Sequence, residues 1–137
     1  MYSIERPKRT SPSYMDFLNC VANEWPDGKN NNEFDGVPAP ILVQVNSTLA
    51  GGVSFTLHKS PEENAEALWV NVLYVKPEFR GRKLAAMLMV EVDNIVEHCG
   101  ITRLYVYTDI PRFYIKLGWK SLSTDGKFSV LKYRRHT

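Results

Sequence analysis

The sequence predicts an α/β fold of the α+β kind. It forms a single domain, residues 1–137, in which one central sheet is flanked by helices. Three observations carry this. Between residues 68 and 107 the hydrophobic period changes from 2 to 3.6 and back, which reads as strand, helix, strand. Such a βαβ unit makes its two strands parallel, with a right-handed crossover. On either side lie shorter apolar runs divided by turn residues, the pattern of antiparallel hairpins. Finally, 137 residues at 44% hydrophobic and 23% charged suit one core and exclude disordered, collagen-like and coiled-coil chains.

Each element follows in order. Tyr2 to Glu5 forms a short strand. Ser11-Pro12 reads as an N-cap followed by proline at the first helical position. Tyr14, Phe17, Leu18, Val21 and Ala22 then give a first helix its apolar face, and Trp25-Pro26-Asp27-Gly28 stops it. Asp27 to Pro40 is rich in Asn, Asp, Gly and Pro, and reads as either a lid or a plain surface loop. Ile41–Val45 and Gly52–His58 are strands of a hairpin turned at Thr48 to Gly51. Leu68 to Val75 is apolar on both faces except at Asn71, which places it in the middle of the sheet. Leu84, Met87, Leu88, Val92, Ile95, Val96 and Cys99 form the stripe of the longest helix, with Gly100 as its C-cap and Cys99 in the core. Ile101–Tyr107 is the second parallel strand. Pro111 opens a short helix ending at Gly118, and Trp119–Leu122 and Lys127–Tyr133 are final strands around Thr124-Asp125-Gly126.

Charge and cysteine usage exclude several functions. The net charge is +2, with 17 Lys and Arg against 15 Asp and Glu, too even to indicate nucleic acid. The basic ends, including Arg6, Lys8, Arg9, Lys132, Arg134 and Arg135, read as solvated. Cys20 and Cys99 make no disulfide framework, and no secretory leader opens the chain, so a reduced cytoplasmic protein is expected. No apolar run approaches the roughly 20 residues of a membrane span. No His, Cys, Asp and Glu cluster has metal-ligand spacing, so no metal is expected.

The stretch that bears chemistry is Arg80-Gly81-Arg82-Lys83-Leu84-Ala85, a basic turn running directly into the longest helix. Helix N-termini present free N–H groups and partial positive charge, which suits phosphate. The alternative is a solvated first turn. It is not a Walker loop, because the Gly-Lys-Ser/Thr ending is absent.

The wider run Leu73-Tyr74-Val75-Lys76-Pro77-Glu78-Phe79-Arg80-Gly81-Arg82-Lys83-Leu84-Ala85 resembles the acetyl-CoA motif of the GNAT (GCN5-related) N-acetyltransferases, a strand ending L-Y-V-x-P followed by R/Q-x-x-G-x-G/A. Downstream, Arg112-Phe113-Tyr114-Ile115-Lys116-Leu117-Gly118-Trp119 resembles the family's second signature, F-Y-x-K-x-G-F/W. Both occur in the family's order with a strand between them. Lys83 replaces the first glycine of the first signature, and no left-handed backbone is expected there, inside a helix's first turn. The asparagine that many relatives carry before F-Y is absent.

The resemblance implies the GNAT fold: a mixed, mostly antiparallel sheet in which Leu68–Val75 splays from Ile101–Tyr107. Acetyl-CoA would be the co-substrate, its pantetheine arm pairing with the backbone of Leu73, Tyr74 and Val75. Its pyrophosphate would rest on the N–H groups of Gly81, Arg82, Lys83, Leu84, Ala85 and Ala86, with charge from Arg80, Arg82 or Lys83. A backbone N–H near Leu73 would serve as oxyanion donor. Tyr114 matches the general acid that protonates the departing thiolate. Many relatives carry Glu two residues before the Leu of L-Y-V. Asn71 stands there and could orient the amine or a water, or be a structural hydrogen-bonder.

Asp109 is an alternative base, with a helix cap as its plainer reading. Glu24, Glu33, Asp35 and His58 are weaker candidates, and Cys20 reads as packing. The two signatures account for Tyr105, Tyr107, Arg112, Tyr114 and Lys116 better than a nucleic-acid surface does. The expected activity is direct acetyl transfer to a small-molecule primary amine, with no nucleic-acid or membrane partner. Dimers are frequent in the family, which makes a homodimer one expected form. A CoA-binding module without turnover and a peptide- or protein-directed acetyltransferase are the alternatives.

Overall fold

A computed structural model describes residues 2–8, 10–25 and 37–134. Residues 26–36, which include 27–36 of the expected loop with Glu33 and Asp35, lie outside the described residues, as do Arg9 and Arg135. The elements are β1 (Tyr2–Glu5), α1 (Pro12–Glu24), β2 (Ile41–Val45), β3 (Thr48–Lys59), β4 (Glu66–Val75), a 3-10 turn (Pro77–Phe79), α2 (Leu84–His98), β5 (Leu104–Thr108), α3 (Pro111–Lys116), β6 (Lys120–Asp125) and β7 (Phe128–Lys132). They make one seven-stranded sheet in the order β1-β2-β3-β4-β5-β7-β6. β4 and β5 run parallel, and the other neighbours run antiparallel.

The helices cover opposite faces because alternate strand residues point to opposite sides. Leu84, Leu88, Met89, Val92 and Ile95 of α2 join Ile41, Val43, Val53, Phe55, Leu68, Val70, Leu104, Val106 and Leu131 in the larger core. Tyr14, Phe17 and Val21 of α1 join Leu42, Leu49 and Tyr74 in the smaller one. Gly52 sets how closely α1 approaches. A Cβ there would stand 2.8 Å from Phe17 Cε1 and 2.7 Å from Leu42 Cδ2. Full burial of a phenylalanine such as Phe17 contributes about 1.5–3 kcal/mol, so the missing side chain at Gly52 is part of the docking site. Lys76 Nζ, 3.6 Å from Asp16, adds a tie between α1 and the end of β4.

Several boundaries differ from expectation. The β2–β3 turn falls at Asn46 and Ser47, with φ of 51° and 67°, and Thr48 to Gly51 belong to β3. Both central residues of this tight hairpin turn take the left-handed backbone that matches strand twist. Asn favours that conformation and Ser does not, so the turn was poorly marked. Ser11 occupies the N-cap of α1, yet its hydroxyl donates to Glu5 at 3.1 Å rather than capping the helix. Cys99 is exposed, not core, because it is the C-cap residue beyond the last full turn. Gly100 follows at φ 64°, and the Ile101 N–H bonds the Val96 carbonyl at 3.0 Å, so this glycine does end the helix. β5 starts at Leu104, three residues later than expected.

Candidate active site

The site begins where the parallel pair ends. β4 and β5 pair at Leu68↔Leu104, Trp69↔Tyr105 and Val70↔Val106, and no further. β4 nevertheless continues to Val75 and β5 to Thr108. The divergence coincides with an irregularity on the opposite side of β4. Against β3, Val70 pairs with Phe55 and Val72 with Ser54, leaving Asn71 without a partner. This is a β-bulge, which bends the strand and raises its local twist. From Val72 to Val75, β4 stays paired with β3 as far as Gly51. Among the described residues no strand lies on its other side, so β4 presents a free strand edge inside the sheet.

The bulge also exchanges the faces of β4. Before it, Leu68 and Val70 belong to the α2 core; after it, Leu73 and Val75 pack against that core, while Val72 and Tyr74 meet the α1 core. The Leu68–Val75 run therefore reads as apolar on both faces without simple alternation. Asn71 is exposed, where a buried position was expected. Tyr74 is a packing residue. Its ring lies 6.0 Å from Trp25, and burial pushes its phenol pKa up. Only its backbone faces the open edge.

Next comes the turn into α2. The Lys76 N–H bonds the Ala50 carbonyl at 2.7 Å, and the Arg80 N–H bonds Pro77 at 3.3 Å, closing the 3-10 turn. Gly81 has φ 84° and Lys83 has φ 62°. Lys83 is the N-cap of α2, not a residue of its first turn, and it is left-handed. That corrects the expectation of an ordinary backbone there and gives the signature's glycine a geometric reason. An L-residue in this conformation costs about 1–2 kcal/mol. The first N–H of this region bonded back is Met87, to the Lys83 carbonyl at 3.1 Å. The amides of Leu84, Ala85 and Ala86 precede it and have no acceptor within the helix.

The three cations of the turn are not equivalent. Arg80 Nε donates to the Val75 carbonyl at 2.9 Å, its Nη2 reaches Glu24 of α1 at 3.3 Å, and its guanidinium lies 6.0 Å from the Tyr74 ring centroid. It is committed to the fold. Arg82 lies 5.3 Å from the Phe79 ring centroid. Lys83 has no ion-pair partner among the described residues. Glu24, considered as a base, is the partner of Arg80.

Tyr114 sits on α3 in the α2-face core, only 2% exposed. Phe113 and Trp119 meet its ring edge-on, each at 5.1 Å. Burial pushes its phenol pKa well above the ordinary value, so the group keeps its proton at neutral pH. Asp109 is exposed and caps no helix among the described residues. The N-cap of α3 is Ile110, without a side-chain cap, and Thr108 Oγ1 accepts the Ile110 N–H at 3.0 Å. His58 is exposed and lies 6.1 Å from Trp69. Cys20 is half-buried beside Asp16, and burial pushes its thiol pKa up. Among the described residues no group of three or more His, Cys, Asp and Glu could hold a metal, and no helix is long and apolar enough to cross a membrane.

Two features escaped the sequence reading. The bulge had a signal in the three-residue step between apolar Val70 and Leu73 of one face, with a polar residue inside it. The internal use of Arg80 had none.

With this geometry in place, the chain belongs to the GNAT acetyltransferases: the Acetyltransferase (GNAT) domain family matches residues 40–121. No curated protein matches by sequence. Among solved structures, Arabidopsis thaliana Naa50 in complex with the bisubstrate analogue CoA-Ac-MVNAL is similar at TM-score 0.71 and 16% identity, over 97% of this chain and 98% of that one. The PaiA N-acetyltransferase of Thermoplasma acidophilum in complex with coenzyme A gives 0.69 and 19%, over 96% and 98%. An aminoglycoside acetyltransferase from an uncultured soil metagenomic sample gives 0.70 and 14%, over 92% and 96%. At these identities the likeness is one of fold.

Proposed function

We propose that the protein is an acetyl-CoA-dependent N-acetyltransferase that transfers the acetyl group directly to a primary amine of a small molecule. The observation that carries this is the split of β4 from β5 beyond Val70 and Val106, with the unpartnered Asn71 on β4 at its start. The split leaves a strand edge open beside the uncapped N-terminus of a helix. An extended amide-bearing arm suits that edge through strand addition, and a pyrophosphate suits the helix N-terminus.

The residues present fit acetyl-CoA. The backbone of Leu73, Tyr74 and Val75 would hold the pantetheine arm. The N–H groups from Gly81 to Ala86 would hold the pyrophosphate, with Arg82 and Lys83 adding charge. When bound, acetyl-CoA supplies an activated acyl group and a thiolate leaving group. A backbone N–H near Leu73 donates to the acetyl oxygen as negative charge develops there. Tyr114 donates its proton toward the departing sulfur. Asn71, exposed at the bulge, orients the incoming amine or a water that takes its proton. An amide holds no exchangeable charge at neutral pH, so its part is positioning.

The test is thiol release from acetyl-CoA across polyamines, amino acids, aminoglycosides and short peptides, beside calorimetric CoA binding. Thiol release with small primary amines is the expected result. CoA binding without release for any acceptor would make the chain a binding module. Release with peptides alone would overturn the small-molecule part.

A further inference from the structure

The sheet is covered unequally. α1 packs on β2 and β3, and among the described residues no helix lies over β5 and β7 on that face. Tyr107 stands there. It is the first residue of β5 beyond the last rung with β4. It is 57% exposed, the most exposed large hydrophobic residue described, although β5 is an interior strand. Its Cα partner is Val130, and Phe128 two residues earlier shares that face. The Tyr107 and Phe128 rings are stacked, with centroids 4.8 Å apart and planes 10° apart. Tyr114, by contrast, belongs to the core on the opposite face.

We infer that the Tyr107–Phe128 stack is the acceptor platform, and that the acceptor is an amine carried on an aromatic ring through a short alkyl linker. This rests on the acetyl-transfer reading above. Two stacked flat rings beside an open cleft, Tyr107 exposed and Phe128 half-buried, make an apolar surface whose shape matches another flat ring, and offset aromatic stacking favours such a ligand over a puckered one. Lys127 Nζ lies 5.7 Å from the Phe128 centroid, so a cation already attends that ring. The acceptor's ring, rather than its ammonium, therefore belongs on the stack, and the short linker leads the amine into the split beside Asn71. Approach from this face leaves the opposite one to the acid, Tyr114.

The experiment titrates 2-phenylethylamine and 2-cyclohexylethylamine into the CoA-saturated protein by calorimetry, and measures thiol release from acetyl-CoA with both amines. The two differ in flatness and π character, not in linker or amine. The expected result is tighter binding of 2-phenylethylamine by about three- to tenfold, a preference lost in Tyr107→Ala and Phe128→Ala and kept in Tyr107→Phe. Unchanged CoA affinity in each variant controls for folding. Equal binding of the two amines, or a preference that survives both alanine variants, overturns the platform. Ring-selective binding without thiol release overturns the acetyl-transfer reading and leaves the platform standing. Thiol release without ring selectivity does the reverse.

Discussion

The two halves of β4 make different use of the same chemistry. From Leu68 to Val70 the strand is bonded on both sides and its alternate residues fill the α2 core. From Val72 to Val75 it is equally apolar, yet bonded to β3 alone. The residues do not separate the two halves. One unpartnered position, Asn71, separates them. A close-packed strand becomes a half-open one by gaining a residue on the β3 side, and the cost falls on the β5 side, where ladder bonds are given up.

The largest effect is expected at Tyr114, the proposed acid. Tyr114→Phe removes one oxygen from a buried ring, so CoA affinity and melting temperature should stay near those of the parent. kcat should fall by about ten- to a thousandfold. A low melting temperature together with a low rate would make Tyr114 a packing residue instead.

Arg82→Ala should weaken CoA binding by about 1–3 kcal/mol in calorimetry. Arg80→Ala should act mainly on stability, because Arg80 holds Val75 and Glu24. The reverse ranking would move the phosphates toward Arg80.

Gly51→Ala probes the bonded side of open β4. Its Cβ would run into the Tyr74 carbonyl and come within 3.0 Å of Val75 Cα, and neither is a flexible side chain. A loss of about 1–3 kcal/mol in chemical denaturation is expected. A neutral result would show β4 free to drift from β3 as well as from β5.

The smallest effect is at Lys83. Lys83→Gly should raise folding stability by about 0.5–1 kcal/mol, left-handed strain relieved less the entropy glycine adds to the unfolded chain. The same change should weaken CoA binding, more at low salt than at high. A loss of affinity independent of salt would leave backbone geometry, not charge, as what Lys83 contributes.

Much of this was legible in the sequence, for physical reasons. The stripe of α2, Pro12 and Pro111 at helix starts and Gly100 at a helix end are local signals, and local signals set helices. The two signatures were legible because a tight turn into a helix and a buried phenol each demand particular residues within a few positions. What could not be read depends on contacts distant in sequence. Asn71 looked buried because a bulge is a relation between two strands. Asp109 looked like a cap because it stands just before Ile110-Pro111, but the N-cap position falls one residue later, at Ile110. The left-handed backbone at Lys83 was hidden because lysine there contradicts its own propensity.

A strand reads out its side chains in a frame of two, and Asn71 is a single-letter insertion in that frame. Everything after it on β4 is decoded in the other phase, so Leu73 and Val75 arrive beneath α2 although Leu68 and Val70 did so in the opposite phase of the count. Pairing that letter into the ladder, without the bulge, would not merely close a gap. It would send Val72 and Tyr74 to the α2 side and deprive α1 of the Tyr74 ring it packs on. The opening of the cleft and the present pairing of each helix with its own core thus both depend on Asn71 standing outside the β3 ladder.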